Sequence, residues 1–370
     1  MTNLQKISDI VLNKRWVEFT ELGIDMRHYE DLGMVLLDYN QIEAKDNHPV
    51  SDECRGLLMG YDGTILRKGF TRFYNYTQAG HDSLDVQNSV IHEKCDGSLM
   101  FVYWCEATNR WELGTRGTAF ASGSANFHPT FRDFFLECLD VIEEKFQSDC
   151  TVHLNKEYTY LFEGVGPDNI IVAKYETNHA VFLGCVENAT GKEFLIPGHD
   201  EHLLVPDWWN VRLPLLYKFN TTEECVESLA QLPERAEGYV LYNRVSGKRI
   251  KLKDPRYVLL HKIRGNGLTV NSICELVASN EHEEYIASFP ADAEKFISAI
   301  EELHFMQRQL QVHYDMNKHI ESQKDFALAV KDLPLSGCMF KARKNGTDVL
   351  HEFNQFPVSK RADWLKERLA

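Results

Sequence analysis

Residues 93–117 read EKCDGSLMFVYWCEATNRWELGTRG. The run SLMFVYW (98–104) is rich in β-branched and aromatic residues, Thr108-Asn109 has turn chemistry, and WELGTRG returns, so the stretch predicts a β-hairpin. Just ahead of it, Lys94-Cys95-Asp96-Gly97 places an amine at the lip of the sheet, with a glycine that lets the backbone turn tightly. Taken alone, a lysine before Asp-Gly is a charged turn.

Outward from this hairpin the same strand signals recur. YTYLFEGV (158–165) reads as a strand, as does HAVFLGCVEN (179–188) before the Thr190-Gly191 turn. GYVLYNRV (238–245) should fold back through Ser246-Gly247 onto KRIKLK (248–253). Residues 135–146, FLECLDVIEEKF, predict one interposed amphipathic helix. Short strands from about Val35 to Lys253 therefore imply an α+β unit of antiparallel sheets with flanking helices. After Lys253 the apolar residues Phe296, Ile300, Leu303, Leu310 and Tyr314 recur at helical spacing, and Asp254-Pro255 marks a break. The expected organisation is a first domain over 1–253 and an all-α domain over 254–370.

Composition narrows the class. Hydrophobic residues make up 44% and charged residues 26% of 370, which is that of a soluble globular protein. No apolar run is long enough to span a bilayer, and the N-terminus lacks the basic start and apolar core of a signal peptide. Nine cysteines, scattered singly, argue against a disulfide framework or zinc knuckle and for a reducing cytoplasm. A net charge of −15 excludes a protein that coats nucleic acid with its whole surface. Cations do gather locally, as Lys248, Arg249, Lys251, Lys253, Arg256, Lys262 and Arg264. On charge alone the reading to prefer is a solvated basic strand and helix start.

Three blocks follow the Lys94 segment in order: Phe162-Glu163-Gly164, Glu237-Gly238-Tyr239-Val240 and Lys251-Leu252-Lys253. Alternation puts Lys251 and Lys253 on one face of their strand, and the Ser246-Gly247 turn brings that strand beside the one starting at Glu237. Two carboxylates and two ammonium groups would then share a pocket with Lys94. Each block also has a plainer reading, as strand-end carboxylates or as a charged edge guarded against aggregation.

The ordered set resembles the covalent nucleotidyltransferase superfamily of nucleic-acid ligases and capping enzymes, in which the KxDG lysine carries the nucleotide. Within it, the chain is most similar to the tRNA-repair RNA ligases of T-even phages. Glu53-Cys54-Arg55-Gly56, Arg72-Phe73-Tyr74-Asn75, Thr115-Arg116-Gly117, GPDNIIVAKY (166–175) and ENATGKE (187–193) carry that likeness across roughly residues 50–260. The resemblance implies an ATP-dependent RNA ligase with Lys94 as nucleophile, and Asp96 and Gly97 beside the nucleotide. Glu237 would position a catalytic metal, with Glu163 in the metal shell or on the ribose. Lys251 and Lys253 would hold the α-phosphate. Arg55, Arg72 and Arg116 would contact ribose or outer phosphates, and Tyr74, Phe182 and Tyr257 would pack near the nucleotide. The implied cofactors are ATP and magnesium, with manganese as the other candidate. The implied partner is RNA with 5′-phosphate and 3′-hydroxyl ends, such as a nicked tRNA. Arg72 and Arg116 stand where the phage enzymes carry lysines, Ile170 where they carry arginine, and Tyr74 where they carry phenylalanine.

The chemistry asks for this kit. A lysine adenylate needs a neutral amine, while an unperturbed lysine keeps its proton to about 10.4. Neighbouring cations and partial burial are expected to lower that value for Lys94. Helices rather than an OB-fold after Lys253 favour an RNA ligase over a DNA ligase or capping enzyme. An inactive RNA- or nucleotide-binding module is the remaining alternative, set against the presence of all five charged residues.

Overall fold

The computed structural model describes residues 2–40, 43–78, 80–81, 83–125, 127–194, 197, 206–265, 268–279, 282, 285–286 and 290–369, without the side chains of 259, 262–265, 290 and 291. Lys262 and Arg264 of the basic cluster therefore lie outside the described side chains. The chain forms two compact units, Met1–His261 and Lys262–Ala370.

The strands of the first unit, in chain order, are β1 (Ile24–Tyr29), β2 (Met34–Tyr39), β3 (Arg55–Gly60), β4 (Ile65–Arg67), β5 (Tyr74–Asn75), β6 (Ser89–Glu93), β7 (Ser98–Cys105), β8 (Arg110–Gly114), β9 (Tyr158–Val165), β10 (His179–Glu187), β11 (Glu193–Phe194), β12 (Val211–Arg212), β13 (Leu216–Tyr217), β14 (Gly238–Asn243) and β15 (Arg249–Lys253). They make three sheets. The first runs β1-β2-β3-β4, the second β11-β10-β9-β7-β8 with β12 alongside β10, and the third β13-β6-β14-β15-β5. Pairing is antiparallel except for the two-residue contacts of β12 with β10 and β5 with β15.

Each sheet buries an apolar face. Helices α1 (Asn3–Leu12) and α2 (Trp16–Glu21) cover the first sheet through Ile7, Val11, Phe19 and Leu57. Between the first and second sheets lie Leu36, Leu58, Phe101 and Leu161. The far side of the second sheet packs Trp111, Phe162 and Phe182 onto Phe134, Phe135 and Phe146.

Those three phenylalanines come from two helices, Phe131–Leu139 and Glu143–His153, and not from the single helix expected over 135–146. Asp140 adopts a left-handed conformation (φ 56°) and its N–H closes onto the carbonyls of Leu136 and Glu137, ending the first helix within an unbroken apolar pattern. The hairpin of β7 and β8 turns at Asn109, also left-handed at φ 51°.

The boundary between units falls eight residues later than 253/254, because Asp254-Pro255 starts a helix, Pro255–Gly265, whose residues up to His261 belong to the first unit. Arg256 donates to the carbonyls of Leu229 and Leu232, and Tyr257 to Asp96. Within 262–370 no strand occurs among the described residues; its longest helix is Ile297–Asn317, with Met306 and Leu310 buried.

Candidate active site

Register along the third sheet decides which side chains meet. Val240 lies opposite both His92 and Lys251, Tyr242 opposite Val90 and Arg249, and Gly238 opposite Lys253, while the Lys94 N–H bonds the Gly238 carbonyl at 2.9 Å. Residues directly opposite one another point to the same face. One face therefore carries Lys94 and Lys253 in a first row, His92, Val240 and Lys251 in a second, and Arg249 in a third, with successive rows roughly 6.8 Å apart.

This face meets the second sheet across a cleft that is open to solvent at its mouth. Lys94, His92, Val240 and Arg249 line one wall, Glu163 and Leu183 the other, and Arg55 from β3 also reaches in. Glu237 is buried between two lysines: its Oε2 lies 2.7 Å from Lys94 Nζ and its Oε1 2.8 Å from Lys253 Nζ. Lys251 sits 4.9 Å above the Phe73 ring, where the Arg55 guanidinium also packs at 5.4 Å.

The charges at this site do not behave as the sequence suggests. Burial alone would push the Lys94 ammonium down, but Glu237, Glu163 and Asp96 outweigh it and hold Lys94 above the ordinary lysine value. The depressed lysine is instead Lys251, pushed to about 7 by burial and by Arg55, Lys94 and Lys253. Burial raises Glu163 to about 7, with Glu237 adding to the rise and Lys94 and Arg55 opposing it. Carboxylate oxygens are the ligands a hard divalent cation takes, and Glu163 and Glu237 are the carboxylates beside Lys94; both Glu237 oxygens are held by Lys94 and Lys253, so a metal there would have to displace a lysine.

Asp96 and Gly97 build the Lys94 segment. One Asp96 oxygen accepts the N–H groups of Val172 and Ala173, both at 2.7 Å, and the other accepts the Tyr257 hydroxyl. Gly97 donates to Glu163 Oε1 at 3.2 Å, and a Cβ there would meet the Gly164 carbonyl at 2.3 Å. The glycine is thus required by a close approach of two strands. Tyr257 touches Asp96, and its ring lies 5.5 Å from Lys253 Nζ.

Other expected contacts lie elsewhere. Phe182 is 1% exposed in the core behind the second sheet, against Phe162, so it does not face the cleft. Leu183, at the irregularity where β10 slips against β9 between Phe182 and Gly184, lines the cleft instead. Arg72 and Tyr74 line an adjoining cleft that shares Phe73 and Arg249 with the first. Tyr74 accepts from the Asn47 N–H at 2.7 Å and bonds Asp52, while Arg72 pairs with Asp46 at 2.6 Å. Arg116 pairs with Asp38 at 2.8 Å, and both guanidinium groups lie 4.3 Å from the Tyr39 ring. Sequence reasoning passed over His92 and Leu183 and counted Arg249 only in the basic cluster; the i, i+2, i+4 spacing of Arg249, Lys251 and Lys253 was the available signal for its place in the site.

A family model described as RNA ligase matches residues 53–257. A protein of Autographa californica nuclear polyhedrosis virus, provisionally named a bifunctional polynucleotide kinase/RNA ligase, is 26% identical over 358 residues, covering 93% of this chain and 50% of its own length. An RNA ligase of Rhodothermus phage RM378 is 25% identical over 266 residues, covering 62% of this chain and 59% of its own. A solved archaeal ATP-dependent RNA ligase is 14% identical, with a TM-score of 0.45 over 96% of this chain and 80% of that one. The chain thus spans between half and three fifths of the length of the curated relatives. The matched segment runs from Glu53 to Tyr257 and takes in the whole Lys94–Glu237–Lys253 arrangement. The chain belongs to the RNA ligase family.

Proposed function

We propose that this chain is an ATP-dependent RNA ligase working through a lysyl-AMP at Lys94. The observation that supports it is the buried Glu237 carboxylate bridging Lys94 and Lys253 at 2.7 and 2.8 Å, with Lys94 lining an open cleft. In the first step the Lys94 nitrogen forms a bond to the α-phosphorus of ATP as the bond to the β-phosphate oxygen breaks and pyrophosphate leaves. An RNA 5′-phosphate oxygen then takes the AMP from Lys94, and finally a 3′-hydroxyl attacks the activated phosphorus and releases AMP. These are repeated in-line displacements, so placement and fixed charge dominate.

Lys94 must lose its proton first, and Glu237 Oε2 is the acceptor already hydrogen-bonded to it. Lys251 is the group best placed to gain charge as a phosphate arrives, since burial has left it only half protonated near pH 7. With Lys253 and Arg55 it supplies positive charge where the transition state spreads negative charge over oxygen. A divalent cation, magnesium or manganese, would be held by Glu163 and Glu237 and would offset charge on the phosphate oxygens.

A reducing cytoplasm suits nine cysteines that are all buried and outside any disulfide, and among the described residues no helix is long and apolar enough to cross a membrane. The helical second unit is proposed to dock folded RNA such as a nicked tRNA. That part is tested by truncation after about residue 261: joining of nicked tRNA should fall far more than joining of plain single strands, and equal losses would end it.

The test of the core proposal is incubation with α-phosphate-labelled ATP and magnesium, followed by a denaturing gel. Label on the protein that vanishes in Lys94→Ala, and circles or dimers formed from 5′-phosphorylated RNA, are the expected results. Labelling by GTP alone would point to a capping reaction, joining confined to DNA to a DNA ligase, and no labelling at all would refute the lysyl-AMP.

A further inference from the structure

Arg249 has features that the three-step chemistry leaves unexplained. Its side chain is 5% exposed, yet it lines the cleft that holds Lys94. Its guanidinium packs 3.9 Å from the Phe70 ring and 4.7 Å from Tyr242, and Nη1 is taken by Glu193. Nη2 is buried with no hydrogen-bond partner among the described residues. A buried arginine donor without an acceptor is costly unless a ligand supplies one.

The rows of the sheet say which part of a nucleotide that would be. Lys94 and Lys253 stand in the first row, where the α-phosphate must lie if Lys94 is to attack it. Val240 in the second row and Leu183 on the opposite wall are apolar side chains lining the cleft there, the kind of surface a base packs against. Arg249 is one row further on. His92 beside it is kept neutral, pushed down to about 4 by burial and by the Arg249 charge, and its Nε2 is occupied by the Pro197 carbonyl at 2.6 Å. Arg55 Nη1 is likewise buried without a partner, but Arg55 packs on Phe73 beside Lys251 of the second row, so the unpartnered donor of the third row is Arg249 Nη2.

We propose that Arg249 reads the nucleotide base, donating from Nη2 to a ring nitrogen of a purine held between Leu183 and Val240. This rests on the lysyl-AMP reading above. Pairing with Glu193 and stacking on Phe70 fix the guanidinium before the ligand arrives, so the contact costs little ordering on binding.

The experiment follows the mass gained by the full chain on adenylylation, using ATP and its 1-deaza, 3-deaza and 7-deaza analogues. In the unaltered protein one analogue should raise the apparent KM about ten-fold, the loss expected for one hydrogen bond from a charged donor. In Arg249→Lys or Arg249→Gln, whichever thermal melts show to be folded, ATP should be about ten-fold weaker and that same analogue no weaker than ATP. Equal KM values for ATP and all three analogues in the unaltered protein would overturn the proposal, and so would losses that multiply between analogue and variant. If the unaltered protein gained no AMP mass from ATP, it would be the lysyl-AMP reading that failed.

Discussion

The Tyr257 hydroxyl donates to the carboxylate of Asp96, joining the helix that follows β15 to the turn that carries Lys94. Both groups are buried, at 2% relative exposure each, and burial holds the phenol firmly protonated. Tyr257→Phe leaves that carboxylate oxygen short of a donor in a dry place. A loss of about 1–3 kcal/mol in stability is expected, with slower adenylylation of Lys94 at saturating ATP. Chemical denaturation and single-turnover labelling check this; an unchanged labelling rate would show that Asp96 does not position Lys94.

Lys251 should make ATP binding depend on pH. Its folded pKa of about 7 is depressed, and bound phosphate favours the protonated form, so the KM for ATP should climb as pH rises through 7. Arg at this position stays charged throughout, and Lys251→Arg should lose that dependence. KM profiles from pH 6 to 9 for the two proteins decide it. The same depression predicts that Lys251→Met melts about 2–5 °C higher at pH 6.

Glu163 predicts a stability change of opposite pH sense. A carboxyl raised to about 7 in the fold binds more protons than the unfolded chain between about pH 4.5 and 7, so stability falls across that window as pH rises. Glu163→Gln should therefore melt higher than the unaltered protein at pH 8, match it near pH 5, and adenylylate poorly at both. Parallel melting curves at the two pH values would count against the burial argument.

Phe182 and Leu183 are neighbours with opposite duties. Phe182→Ala opens a cavity against Phe162 and should cost about 3–5 kcal/mol while sparing the KM for ATP. Leu183→Ala removes part of a wall of the cleft, and about a ten-fold rise in KM is expected with a smaller stability loss. Denaturant melts and labelling kinetics on both variants separate the two roles.

The sequence showed most of the first unit because each strand announces itself locally, by alternation and a turn residue at each end. Lys94, Glu163, Glu237, Lys251 and Lys253 were legible as a set through order and spacing. Facing was not: which of Phe182 and Leu183 meets the cleft depends on β10 pairing Val181 with Glu163, a contact between distant segments. The charge state of Lys94 misled for a similar reason. Counting cations along the chain puts lysines around it, whereas folding places the Glu237 carboxylate between them. The division of 135–146 into two helices turns on one left-handed Asp140, with no glycine or proline to give it away.

An arriving triphosphate finds several of the cations around this site already engaged, since Lys94 and Lys253 grip one acid and Arg72 and Arg116 each grip another. Ligand oxygens must displace those incumbents, and the observed affinity is what remains after the exchange. Neutralising a resident carboxylate such as Asp38 or Asp46 could consequently tighten nucleotide binding, so a protein that holds its nucleotide more firmly need not turn it over faster.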